Sequence, residues 1–326
     1  MTMNCGKRPI LPLSLLGLLV FAGACGNNAF VFERLTSAGT GNGLPPSPTP
    51  AVSPTPEPSP SPTAICDPFG GGHPGTGQNG LVAELTYRTD YKNGVDYPVV
   101  ADFLPGPSAP PQLVEVPNPV FLSRLNKPTS PWEDGFLVDG KYVTTAAGDT
   151  LVEWFALLMK SRITLGGDFT AEGDYELALL SDDGAVLSLD RLDGTGMADR
   201  FIDNDGTHQN RLRCNRLHMV QGQKYPIALD YFQGPRNRIA MMFLWRQVNA
   251  QTAAEPLCTA AASGDFDYFT DETMGPSAPT CAGAAYSYRD GKTCPTPKFK
   301  QLIADGFRIL DTVNFILPED VTNVCL

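Results

Sequence analysis

Two adjacent carboxylates, Asp182 and Asp183, followed by Gly184, interrupt the apolar stretch LLSDDGAVLSLD at residues 179–190. Both are ionised near neutral pH, and at ~5 Å and an effective dielectric of 20 they would repel by about 3 kcal/mol. Drawing them together therefore takes a cation. Calcium suits the pair, because it collects hard oxygen ligands from carboxylates, amides and backbone carbonyls. The same residues also read as a hairpin turn, with the side chains diverging into water and Asp183-Gly184 reversing the chain. These residues alone leave both readings open.

A second acidic stretch, FIDNDGTHQN at residues 201–210, places Asp203, Asp205 and Gly206 at spacings that echo the middle of an EF-hand loop. The first ligand position would then fall on Phe201, and the last, where a bidentate Glu belongs, on Leu212, so the match fails. What remains is an Asx-type turn or a second rim of a binding surface that brings His208 within reach. The other histidines, His73 and His218, stand in a glycine-rich leader and in a strand-like LHMV. No G-x-S-x-G or H-E-x-x-H constellation accompanies them. A glycosidase needs carboxylates facing each other across a bond at least ~5 Å apart, which neighbours on one turn do not provide. The chain reads as non-catalytic. Trp154 and Trp245 sit in apolar strand patterns, whereas Trp132, in SPWEDG, falls on a loop where it would either stack on a sugar face or plug the end of the fold.

Short segments rich in β-branched and aromatic residues position these groups: LVAELTYR, EWFALLMKSRITL, DYELALLS, AVLSLD, YPIALDYF and IAMMFLW, separated by Gly, Pro, Asn and Asp. Even spacing with turns between predicts an all-β, antiparallel sandwich or barrel over residues 80–248. The tail, 249–326, predicts a small disulfide-bonded C-terminal extension with one short helix. In TPKFKQLIADG, Thr296 caps, Pro297 suits the first turn, and Gly306 stops the helix. FRIL and NFIL follow as strand candidates.

The N-terminus reads as an address. Lys7 and Arg8 precede an apolar run from Ile10 to Ala24, the layout of a secretory signal over residues 1–24. Its end, FAGAC, resembles a bacterial lipoprotein signal, with Ala22 where that pattern usually has Leu. The resemblance implies lipidation of Cys25 and attachment to a membrane through that lipid. Gly26, not Asp, follows the cysteine, which by resemblance to enterobacterial sorting rules points to the outer membrane of a bacterial cell envelope. Residues 25–79 read as a Pro/Gly-rich stalk, with nine prolines in LPPSPTPAVSPTPEPSPSPT at 44–63. As polyproline II at ~3.1 Å per residue, that stretch would hold the next domain roughly 60 Å from its anchor. Export also fits the remaining cysteines, Cys66, Cys214, Cys258, Cys281, Cys294 and Cys325, an even set that reads as disulfides with the pairing left open. Their wide spacing offers no zinc-type pair. A formal net charge of -11, with no basic cluster, argues against a nucleic-acid partner.

Read in order, GGDFTAEGDYELALLSDDGAVLSLD, a Gly/Asp-rich loop and MVQGQKYPIALDYFQGPRNRIAMMFLW resemble the PA14 domain over roughly residues 80–248. The resemblance lies in a D-D-G loop, a G-x-x-Y-P-I strand, an aromatic pair and a closing strand ending in Trp. It implies a β-sandwich of the kind found in bacterial toxins, glycosidases and surface adhesins. In the sugar-binding members an Asp-Asp pair joined by a cis peptide holds calcium, which chelates sugar hydroxyls; that pair maps onto Asp182 and Asp183. A second loop there supplies an Asn, for which Asn237 is the counterpart, although QGPRNR departs from the pattern by carrying two arginines. Other members keep D-D-G as structure alone. The sequence-based expectation is thus a calcium-dependent carbohydrate-binding module, with a glycan or other cell-surface ligand as its partner; the alternative is a structural or protein-interaction domain.

Overall fold

The structure is a computed structural model. It describes residues 63–69, 77–91, 98–107, 109, 111–190, 197–235, 238–250, 252–254, 268–270 and 294–325. In chain order the strands are β1 (Ile65–Cys66), β2 (Leu81–Arg88), β3 (Leu113–Leu122), β4 (Asn126–Pro131), β5 (Leu137–Val138), β6 (Lys141–Tyr142), β7 (Phe155–Ile163), β8 (Gly173–Asp182) and β9 (Ala185–Asp190). There follow β10 (Met197–Asn204), β11 (Arg211–Met219), β12 (Tyr225–Gln233), β13 (Arg238–Gln247), β14 (Phe269–Thr270) and β15 (Cys294–Pro295), then helix α1 (Pro297–Ala304), β16 (Arg308–Ile309) and β17 (Phe315–Ile316).

Two sheets face each other. The larger runs β1-β3-β2-β7-β12-β9-β10, with β17 added to β7; the smaller runs β11-β8-β13-β16, with β4 added to β13. All these pairings are antiparallel except β1 with β3. Alternation decides which side chains meet between the sheets. On β12, Tyr225, Ile227, Leu229 and Tyr231 face inward and pack with Leu157, Met159, Leu179, Leu187, Phe243 and Trp245.

Strands β8 and β13 do not alternate. ELALL and IAMMFLW are buried at every residue, because the C-terminal part of the chain covers the outer face of their sheet. Ala178, Leu180, Met242 and Leu244 pack there against Phe299 of α1, Phe307 and Phe269. A strand covered on both faces reads as a continuous apolar run, and each buried Phe contributes about 1.5–3 kcal/mol to holding that third layer down. Helix α1 forms as its sequence predicts, with Thr296 Oγ1 accepting from the Phe299 amide and Pro297 in the first turn.

One sequence-drawn boundary needs correction. Residues 63–69 were assigned to the stalk, yet Ile65 pairs with Val120, Ile65 and Phe69 are buried, and Cys66 forms a disulfide with Cys325 across a separation of 259 residues. Within the C-terminal extension, FRIL and NFIL supply β16 and β17, one to each sheet. Local pattern marked both as strands; which sheet each joins is decided by tertiary pairing. Cys214 and Cys294 are also disulfide-bonded; Cys25, Cys258 and Cys281 lie outside the described residues. Among the described residues, no helix is long and apolar enough to cross a membrane.

Candidate functional site

The Asp182-Asp183 peptide is cis, and the pair stands where β8 turns into β9. Neither residue splays into solvent: Asp182 is 9% exposed and Asp183 4%. Antiparallel register sets their neighbours, because Tyr231 of β12 lies opposite Ala185 of β9 and Ala240 of β13 lies opposite Asp182. Three chain segments therefore converge at this end of the sandwich: the 182–184 turn, the 205–210 loop and the 233–235 stretch after β12.

The Asp183 carboxylate joins them. Its Oδ1 accepts from the His208 amide at 3.0 Å, and its Oδ2 from the Gly234 amide at 2.7 Å. Burial pushes this carboxyl up to about 6, and the two amides pull in the opposite direction. The Tyr231 hydroxyl lies 2.7 Å from both the Asp182 carbonyl and Gln233 Oε1. Gln233 Nε2 donates to the Arg238 carbonyl at 2.9 Å, which ties the two ends of the 233–238 loop. Beneath the turn, Asn204 Nδ2 donates to Ser181 Oγ at 2.7 Å, and Arg211 Nε donates to Asn204 Oδ1 at 2.7 Å.

Two glycines are required by this packing. A Cβ on Gly184 would stand 2.3 Å from the Phe232 ring and 2.8 Å from the Gly206 nitrogen. A Cβ on Gly234 would stand 2.9 Å from Asp183 Oδ2. The D-D-G sequence is thus one side of a close three-loop contact in which backbone must approach backbone.

The other sequence-derived candidates fall in different places. The carboxylates of the acidic loop have protein partners: Asp203 Oδ1 accepts from the Asp205 amide and from Arg200, while Asp205 Oδ1 accepts from the Val100 amide of a distant segment at 2.8 Å. That is an Asx-turn arrangement. His208 reaches the tip through its backbone amide. Its ring nitrogens lie 2.7 and 2.9 Å from the Gln209 and Asn204 carbonyls, so its ring, expected to meet a ligand, is turned into the loop. Trp132 also departs from the ligand reading: it is 2% exposed, packed edge-on against Phe69 and Phe136, with the Lys127 ammonium 5.0 Å from its ring centroid. A ring enclosed this way plugs the sandwich and has no open face for a sugar. Trp245 lies in the main core, and Trp154 in an outer cluster with Phe103 and Phe232. Asn237 lies outside the described residues.

Sequence reasoning missed Tyr231, Gln233, Gly234, Asn204 and Ser181. Only the aromatic pair and Gly after β12 carried any local signal; the hydrogen bonds that make these residues matter join segments well separated in the chain, 49 and 51 residues for Tyr231 and Gly234 and 23 for Asn204 with Ser181. Among the described residues, no group of three or more His, Cys, Asp or Glu side chains could hold a metal ion. The hard oxygens described at this tip are those of the Asp182 and Asp183 carboxylates, the Gln233 amide and the neighbouring backbone carbonyls.

Residues 163–253 match the PA14 domain family. No curated protein matches the chain. Among solved structures, the chain is similar to the PA14 domain of the MpAFP antifreeze protein, at 13% identity over 56% of this chain and 88% of that one, with a TM-score of 0.34. It is similar to the epithelial adhesin 6 A domain from Candida glabrata in complex with Galb1-3GlcNAc, at 16% identity over 57% of this chain and 85% of that one, TM-score 0.33. A β-glucosidase from Kluyveromyces marxianus in complex with glucose also matches, at 14% identity over 53% of this chain but only 16% of the glucosidase, TM-score 0.27.

Proposed function

We propose that this chain is a non-catalytic carbohydrate-binding module in which Asp182 and Asp183 hold a calcium ion that takes sugar hydroxyls, carried on an exported protein anchored through Cys25 to a bacterial outer membrane. The observation that supports this reading is the Asp182-Asp183 pair itself: two nearly buried neighbouring carboxylates, one of them fixed by amides of two other loops. Bound calcium would supply positive charge to offset their repulsion and open positions for hydroxyl oxygens; the protein's part is to fix the loops around it.

One observation favours a second reading. Both Asp183 carboxylate oxygens accept amide hydrogen bonds, from His208 and Gly234, which is what a purely structural D-D-G loop in a protein-interaction domain would do.

Melting with calcium and with a chelator separates the two. An ion that binds only the native state stabilises it by mass action, about 2.7 kcal/mol at a hundredfold excess over Kd. A calcium-dependent rise in Tm that disappears in Asp182→Ala, together with glycan-array binding lost in the same variant, supports the carbohydrate reading. An unchanged Tm in the wild type would sink the calcium site. Binding to a protein partner that survives Asp182→Ala would favour the second reading.

A further inference from the structure

In a regular antiparallel strand the N–H and C=O of one residue point to the same neighbouring strand, so that facing residues exchange two hydrogen bonds. Trp154, at the entrance to β7, does otherwise. Its N–H donates to the Gly234 carbonyl at 3.2 Å, on the β12 side, while its C=O accepts from the Arg88 amide at 2.9 Å, on the β2 side. Register makes both residues its ladder neighbours: Phe155 lies opposite Gln233 and opposite Tyr87, so Trp154 comes next, opposite Gly234 and Arg88. The two groups diverge because the backbone of Trp154 is left-handed, at φ +56°, where a bulky residue is a genuine outlier.

That turn releases one donor. A closed pair between residues 154 and 234 would use the Gly234 N–H on the Trp154 carbonyl. The Gly234 N–H donates instead to Asp183 Oδ2 at 2.7 Å. On the reading of this tip as the binding site, we infer that Trp154 is its positioning residue: the left-handed backbone at 154 diverts a carbonyl to β2 and so delivers the Gly234 N–H to the Asp183 carboxylate.

The side chain holds the backbone in place. The Trp154 ring is buried, lies 5.0 Å from the Tyr91 ring and clusters with Phe103, Phe232 and Val186. Its Cζ3 stands 3.5 Å from the position a Cβ on Gly234 would take, so ring and amide hold the same residue from two sides. Glycine enters the left-handed region freely, whereas Trp stays there only where its surroundings over-determine it. A loop fixed in this way is set before any ligand arrives.

Alanine and glycine at 154 separate backbone from ring, since both remove the ring and only glycine keeps the left-handed geometry without support. Scalar couplings across hydrogen bonds, measured by NMR on the deuterated full chain in chelator, identify the acceptor of the Gly234 amide. The expected result in the wild type and in Trp154→Gly is coupling to the Asp183 carboxyl carbon. In Trp154→Ala the backbone relaxes to an extended strand, the coupling moves to the carbonyl carbon of residue 154, and the Arg88 amide, deprived of its acceptor, exchanges about tenfold or more faster. Protection at His208, whose amide bonds Asp183 Oδ1, and at Leu229 in the middle of β12 reports that tip and sheet are intact in each variant. A Gly234 amide coupled to the Trp154 carbonyl in the wild type would overturn the inference without any variant. So would a Trp154→Ala protein that keeps both the Asp183 coupling and the Arg88 protection, or a folded Trp154→Gly protein that loses the coupling. Where calcium raises the wild-type Tm, the rise should shrink in Trp154→Ala and persist in Trp154→Gly; an equal rise in all three would overturn the positioning role. No rise in the wild type counts against the calcium site alone, and the couplings, read without calcium, still decide where the Gly234 N–H points.

Discussion

Replacing Asp230 by Asn should stabilise this protein near neutral pH. Asp230 lies on β12 opposite Leu158 of β7 and Val186 of β9, on the outer side of the larger sheet. Burial raises its carboxyl from the ordinary 3.8 to about 6; Lys160 opposes the shift, and the charges of Glu84 and Asp205 add to it. A folded-state value above the unfolded one means that the protonated form is favoured by folding. The associated stability is present in full below about pH 4 and is lost as pH rises through about 6. Two pKa units correspond to about 3 kcal/mol, and partial solvent contact reduces this to roughly 1–3 kcal/mol. Asp230→Asn removes the ionisation while keeping the shape, so it should leave stability at pH 4 nearly unchanged and raise it at pH 7.5. For a domain of this size that is a rise in Tm of roughly 3–9 °C. Urea melts of both proteins from pH 4 to 8, in chelator so that no divalent ion complicates the tip, give the difference directly. A variant equal to or less stable than the wild type at pH 7.5 would refute burial as the dominant influence on this carboxyl.

Other perturbations test the packing of the tip and the frame. Gly234→Ala drives a methyl toward Asp183 Oδ2, 2.9 Å away; calcium-dependent stabilisation, if present in the wild type, should weaken at least about tenfold while the chelated protein loses only ~1–3 kcal/mol. Removing the disulfide in Cys66→Ser/Cys325→Ser opens a loop of 259 residues and should cost up to ~5 kcal/mol in urea unfolding on the chain-entropy account. Arg246 donates to the fully buried Glu176 through Nε at 3.2 Å and Nη2 at 2.9 Å and stacks on Phe307. Arg216 Nη2 remains 3.7 Å from Glu176, so Arg246→Ala should cost up to about 3 kcal/mol by removing one of two cationic partners of a buried charge, with Glu176→Gln/Arg246→Ala recovering part of the loss.

The sequence by itself determined the class of fold, through alternation in YPIALDYF and through turn residues between the apolar segments. It also determined helix α1, whose Thr296 cap and Pro297 are local features, and it singled out Asp182 and Asp183 through their position within a larger order of motifs. Tertiary structure decided the rest. The apolar runs ELALL and IAMMFLW could not reveal that they are buried on both faces, since the covering layer of Phe299 and Phe307 comes from the C-terminal part of the chain. Trp132 lies on a loop as its sequence indicates, but whether it stacks or plugs stayed open because its enclosure depends on Phe69 and Phe136. The Asp pair raised a question of convergence or divergence that local sequence leaves open, because the answer rests on amides supplied by His208 and Gly234 from two other loops. Periodicity and caps are properties of neighbours in sequence, whereas burial and hydrogen-bond satisfaction are properties of neighbours in space.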